Sequence, residues 1–98
     1  MPVFAVHYTY RTSQNAERDV YRPAHRGYLR ELLSEGRVLA TGSYVDEDNP
    51  GALLIFQADS AEVVADMLRI DPFIVNGLVA GADIREWAQA MGPWATTV

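Results

Sequence analysis

The chain has 98 residues, 49% hydrophobic and 21% charged, with 13 acidic against 8 basic side chains and no cysteine. That composition is globular rather than disordered or fibrous, and it excludes disulfides, thiolate nucleophiles, iron–sulfur clusters and cysteine zinc sites. The scattered basic residues form no stripe that could neutralise a phosphate backbone, so nucleic acid is not expected as a partner.

From Val3 to Tyr10, the residues Phe4, Val6, Tyr8 and Tyr10 alternate with Val3, Ala5, His7 and Thr9, which predicts a first strand covered on both faces. The polar segment Arg11 to Asp19 predicts a loop or frayed turn. Pro23 suits the first turn of a helix, where its missing N–H removes no intrahelical bond. Tyr28, Leu29, Leu32 and Leu33 then recur at helical spacing and Gly36 stands at the expected C′ position, so a helix is predicted over about 23–35, or from near Ala16.

Arg37 to Val45 and Gly51 to Ala58 read as two strands of a hairpin joined by Asp46-Glu47-Asp48-Asn49-Pro50. That acidic loop resembles a calcium loop only superficially, since Pro50 and Gln57 fall where an EF-hand needs ligands. A solvated turn is expected, and no metal site. Asp59 with Glu62 predicts the start of a second helix faced by Val63, Val64, Met67 and Leu68, and Asp71-Pro72 should stop it. Val79 to Ala90 is the last predicted strand, followed by a Gly92-Pro93-Trp94 tail.

The order β-α-β-β-α-β predicts an α+β ferredoxin-like sandwich: one antiparallel sheet with two helices on one face. One domain over 1–98 is expected, with its core in about 3–90 and a short tail at 91–98. So small a domain buries only roughly 60–65% of the surface of its unfolded chain. Its second sheet face would stay bare unless covered, so a homodimer through that face is expected. No run approaches the ~20 apolar residues of a membrane span, and Met1-Pro2-Val3-Phe4 opens without a basic leader region. The expectation is a soluble, cytoplasmic protein with no membrane partner.

Two histidines are the groups able to exchange a proton near neutrality. His25 falls in the predicted first helical turn, where backbone amides disfavour its protonated form and favour an anion beside it. Asp71, at the break after the second helix, could orient such an imidazole, although 46 residues separate the two and spacing cannot show contact. The plain alternatives are a helix-start histidine bonded to a carbonyl and an aspartate that caps a turn. His7 is expected to be a packed, hydrogen-bonded strand residue. Arg22 offers its fork to an anionic substrate or pairs with Asp19. Tyr8, Tyr44 and Trp87 are candidates to line a pocket for a planar ligand.

Arg22-Pro23-Ala24-His25, the run Leu29-x-x-Leu32-Leu33-x-x-Gly36, Gly42, and Asp71-Pro72-Phe73 before Gly77-Leu78 together resemble the YCII-related family. The resemblance spans almost the whole chain. It implies a dimeric ferredoxin-like fold of the dimeric α+β barrel group, with a cleft holding His25 and Asp71 as the catalytic pair. It also implies cofactor-independent proton transfer on a small, anionic or aromatic molecule, as a dehydrochlorinase-like lyase or an isomerase. Arg22, Ser43 and Tyr8 are the expected substrate contacts. Ser43 stands where the family often has proline, which bears on pocket shape. The alternatives are a binding dimer without chemistry, or a structural dimer with a vestigial pocket.

Overall fold

A computed structural model describes residues 1–95; the end of the expected tail, 96–98, lies outside the described residues. Four strands, β1 (Val3–Thr9), β2 (Val38–Ser43), β3 (Gly51–Gln57) and β4 (Gly81–Glu86), form one sheet in the order β2-β3-β1-β4, with every pair antiparallel. Three helices, α1 (Asn15–Ser34), α2 (Ala61–Leu68) and the short α3 (Pro72–Val75), complete it. This is the ferredoxin-like α+β arrangement that the element order predicts.

Alternation in β1 places Phe4, Val6 and Tyr8 among the buried residues, where they join Leu54 and Phe56 of β3, Leu29 and Leu32 of α1, and Val64, Met67 and Leu68 of α2. Ala5 and His7 point to the opposite face, paired with Ile55 and Leu53. At ~25 cal/mol per Å² of apolar area removed from water, a packed face of this kind is the dominant stabilising term. The α1 end follows its sequence signal: Gly36 takes φ +75 and the Arg37 N–H donates to the Leu32 carbonyl at 2.9 Å. The Tyr28 hydroxyl donates to the Met67 carbonyl at 2.6 Å, tying α1 to α2.

Several sequence expectations are corrected. Of the two helix starts expected, the one near Ala16 holds: α1 begins at Asn15 after a short 3-10 turn over Thr12–Gln14, and Pro23, the other expected start, lies inside it. The amphipathic stripe from Arg18 to Leu32 outweighs the bond that proline removes. Ser60, not Asp59, caps α2, its Oγ accepting from the Val63 N–H at 3.3 Å. The last strand stops at Glu86, and after the Trp87 N–H bonds the Val3 carbonyl no β1 residue is left to pair. Helix α2 ends at Leu68, with Arg69 as its C-cap, before Asp71 is reached, and Asp71 instead caps α3, an element too short to show a period.

In β2 the register slips between Val38 and Ala40. Strict alternation from Val38, which is buried, would turn Ala40 and Gly42 toward the helices. The irregularity at Leu39 sets Thr41 opposite Leu54 and Ser43 opposite Ala52 instead, and cross-strand partners share a face. A bulge thus re-aims two hydroxyls toward the helix side.

Candidate active site

Arg18, His25, Leu29 and Leu32 are the buried residues of α1, and separations of seven, four and three bring them to one side of the helix. His25 is therefore a core-facing residue about three turns into α1. The amides at the helix start, expected beside it from the sequence, are too far away to act on it, because the macrodipole effect fades within the first turn. What orients His25 is Asp71.

Asp71 is 0% exposed. Its backbone is extended (φ −58, ψ 124) because Pro72 follows, and Pro72 then opens α3 at its first position. That turn aims the carboxylate inward, where three donors meet it. Oδ1 accepts from the Phe73 N–H at 3.0 Å and from His25 Nδ1 at 2.7 Å, and Oδ2 accepts from the Tyr8 hydroxyl at 2.7 Å. The capping and imidazole-orienting roles weighed against each other in the sequence are both present in one side chain.

A carboxylate can only accept, so the geometry puts the hydrogen of neutral His25 on Nδ1 and the lone pair on Nε2. Tyr8 stays a donor over the whole working pH range: burial, then the Asp71 charge, pushes its hydroxyl far above the usual phenol range. The imidazole lies flat on the Phe73 ring, with centroids 3.8 Å apart and planes 3° from parallel. Tyr10 meets Phe73 edge-on at 5.9 Å, and the Arg18 guanidinium sits 4.4 Å over the Tyr10 ring. Burial and the Asp71 charge push Tyr10 up to about 12, although Arg18 and Arg22 pull the other way.

His25 opens on a cleft of about 220 Å³ between α1 and β2, lined by Arg22 and Arg26 from α1, Thr41 and Ser43 from β2, and also by Tyr10 and Phe73. Of the residues singled out by sequence, His25, Arg22 and Ser43 line this cleft, and Asp71 stands behind the imidazole. Tyr8, expected to touch substrate, does not line the cleft: it is 1% exposed and its hydroxyl is spent on Asp71. Arg22 also pairs with Asp19, as the sequence allowed. His7 is on the far sheet face, hydrogen-bonded to the Tyr44 hydroxyl at 2.8 Å and stacked on its ring. Trp87 lies there too, in a groove with His7, Leu53 and Ile55.

Sequence reasoning missed Arg26, Thr41, Tyr10 and Phe73 as members of the cleft. Arg26 carried a usable signal, being one helical turn from Arg22. Thr41 carried none, because the bulge reverses its face. Among the described residues, no three His, Asp or Glu side chains gather as a metal site would require.

Fold and site together define a class: a ferredoxin-like α+β domain whose first helix and post-helical turn clamp a buried carboxylate–imidazole pair beside a small cleft. The chain belongs to the YCII-related family, whose domain matches residues 1–88. No curated protein matches it. Among solved structures it is similar to 5-chloro-2-hydroxyhydroquinone dehydrochlorinase from Burkholderia phenoliruptrix, determined in complex with 2,5-dihydroxybenzoquinone. The two chains are 24% identical, with a TM-score of 0.78 over 90% of this chain and 95% of that one, a likeness that shows the shared fold.

Proposed function

We propose that the chain is a small-molecule enzyme of the lyase or isomerase kind, which moves a proton without a redox cofactor, with His25 Nε2 as base and acid. The observation that carries this reading is the 2.7 Å contact between His25 Nδ1 and the buried Asp71, which leaves Nε2 as the unengaged ring nitrogen of a residue that lines the cleft. In an elimination, Nε2 takes a proton from carbon, the C–H electrons form the new double bond, and the leaving group departs with its pair. Asp71 holds the tautomer and stabilises the imidazolium. In an isomerisation, the same imidazolium returns the proton to another carbon. The structural neighbour is by name a dehydrochlorinase, and loss of hydrogen chloride is likewise an elimination.

The same reading takes the whole of 1–98 as one domain that works as a homodimer, a second copy covering the sheet face that carries Ala5, Leu53, Ile55 and Trp87. Sedimentation at low micromolar concentration tests that part, and a strict monomer refutes it.

The chemistry is tested by incubating a panel of small carbon acids with the protein in deuterium oxide and following exchange of C–H by NMR. Exchange or elimination that needs the protein and disappears in His25→Gln supports the proposal. A substrate turned over equally by His25→Gln overturns it, and ligands that bind without exchange point instead to a binding module.

A further inference from the structure

We infer that the cleft beside His25 takes a compact organic anion, whose carboxylate- or phenolate-type oxygen lies against Arg22 and Arg26 while an adjacent carbon faces Nε2. This names the substrate class of the acid–base site and rests on that reading.

The charge distribution is the first argument. The sequence holds 13 acidic and 8 basic residues, yet Arg22 and Arg26 line the cleft and no carboxylate does. Asp71 is screened from it by the imidazole, with its oxygens engaged by Tyr8, His25 and the Phe73 amide. Apart from Asp71 behind the imidazole, an acidic protein has thus placed cations, and no carboxylate, along the cleft that its candidate base lines.

Arg18 is the second argument, independent of the wall itself. Arg18, Arg22 and Arg26 follow at four-residue intervals along α1, one side of the helix. Arg18 is 2% exposed, and it donates to the Arg11 carbonyl at 2.9 Å and to the Asn15 side chain. Among the described residues no carboxylate pairs with it; the arginine–carboxylate pairs there involve Arg22, Arg37 and Arg69. A buried cation without a counter-ion is costly. Its guanidinium covers the Tyr10 ring, which lines the cleft, so one ring separates this positive charge from the ligand space. Arg22 is held by Asp19, but Asp19 is the more solvated partner, 70% against 34% exposed, so an anion in the cleft can compete for the guanidinium.

The third argument is chemical. Removing a proton from carbon next to a carbonyl or a ring leaves negative charge that spreads onto the neighbouring oxygen. Fixed cations at that oxygen stabilise the charge as it develops. A cavity of ~150 Å³ holds benzene, so 220 Å³ accommodates one ring with its substituents or an acid of similar size.

The test titrates the full chain with benzoate and with its uncharged isostere benzamide, following side-chain NMR signals of His25 and the arginines. Benzoate should shift these signals saturably, benzamide should bind at least about tenfold more weakly, and benzoate affinity should fall with added salt. Arg22→Gln and Arg26→Gln should each weaken benzoate about tenfold with the thermal midpoint unchanged. Equal affinity for the two probes, no benzoate binding, or indifference to both substitutions would overturn the inference. His25→Gln separates the two claims: it should lose proton exchange yet keep benzoate binding. Retained exchange with intact benzoate selectivity sinks only the acid–base reading, whereas His25-dependent exchange without selectivity sinks only the anion.

Discussion

Replacing Tyr8 by phenylalanine removes one oxygen and leaves the ring in place among the core residues. The lost group donates at 2.7 Å to Asp71 Oδ2, and both residues are essentially buried, at 1% and 0% exposure. Hydrogen bonds to charged groups are worth about 1.5–3 kcal/mol, and the carboxylate oxygen left behind has no water to replace its donor. We therefore expect a loss of ~2 kcal/mol. With an unfolding entropy of ~2.1 cal/mol/K per residue, that is a fall of about 10 °C in the thermal midpoint of a chain this size. Urea unfolding of the wild type, Tyr8→Phe, Asp71→Asn and the double variant supplies the assay as a cycle. The two substitutions should be coupled by ~1 kcal/mol or more, because they share one bond. Tyr8→Phe within ~0.5 kcal/mol of wild type, or strictly additive effects, would refute the idea that Tyr8 anchors the carboxylate.

Gly51→Ala should be severely destabilising, by ~2 kcal/mol or more, because an added Cβ would lie 2.3 Å from the Tyr8 carbonyl oxygen; chemical denaturation reads this, and a near-neutral result contradicts the strand contact. Pro23→Ala should raise stability by up to ~3 kcal/mol, since it restores an interior helix N–H, and its effect on turnover then tells whether the proline sets the pose of His25. Stability should fall as pH rises above about 10. Tyr8, Tyr10 and Tyr28 all titrate above the ordinary 10.0, each chiefly through burial, so in that window the unfolded chain binds fewer protons than the folded one and stability drops with pH. Thermal scans across the alkaline range check the sign, and the Tyr10 share should be lost by about pH 12.

The fold was largely legible because β1 and both long helices carry a period that burial enforces. In β1 alternation separates Phe4, Val6 and Tyr8 from Ala5 and His7, while the packing shows that the first set faces the core. The stripe of Leu29 and Leu32 marks the core side of α1. Where the reading failed, a local rule lost to tertiary packing. Pro23 favoured the shorter of the two expected helices because proline is tolerated at a helix start, but core contacts on both sides of it hold the longer one, from Asn15. The shorter reading also set His25 in a first helical turn, beside backbone amides that are in fact too far away to act on it.

The site was legible in its chemistry and not in its geometry. His25 and Asp71 stand out as residue types, but their meeting depends on α1 and α3 packing together, which no spacing across 46 residues encodes. Phe73 was visible only as an apolar residue after proline. Its stacking on His25 follows from α3, whose four residues are too few to be periodic. Thr41 and Ser43 reach the cleft because of the bulge at Leu39, and alternation predicts the reverse.

The central claim is that Asp71 fixes His25 with Nδ1 protonated and Nε2 free toward the cleft. Long-range proton–nitrogen NMR spectra of the two imidazoles, recorded where they are neutral, test it most directly. The account expects a protonated Nδ1 and an unprotonated Nε2 for His25. A hydrogen on Nε2, or rapid exchange between both tautomers, would mean that Asp71 does not hold the ring, and the acid–base reading would fail with it.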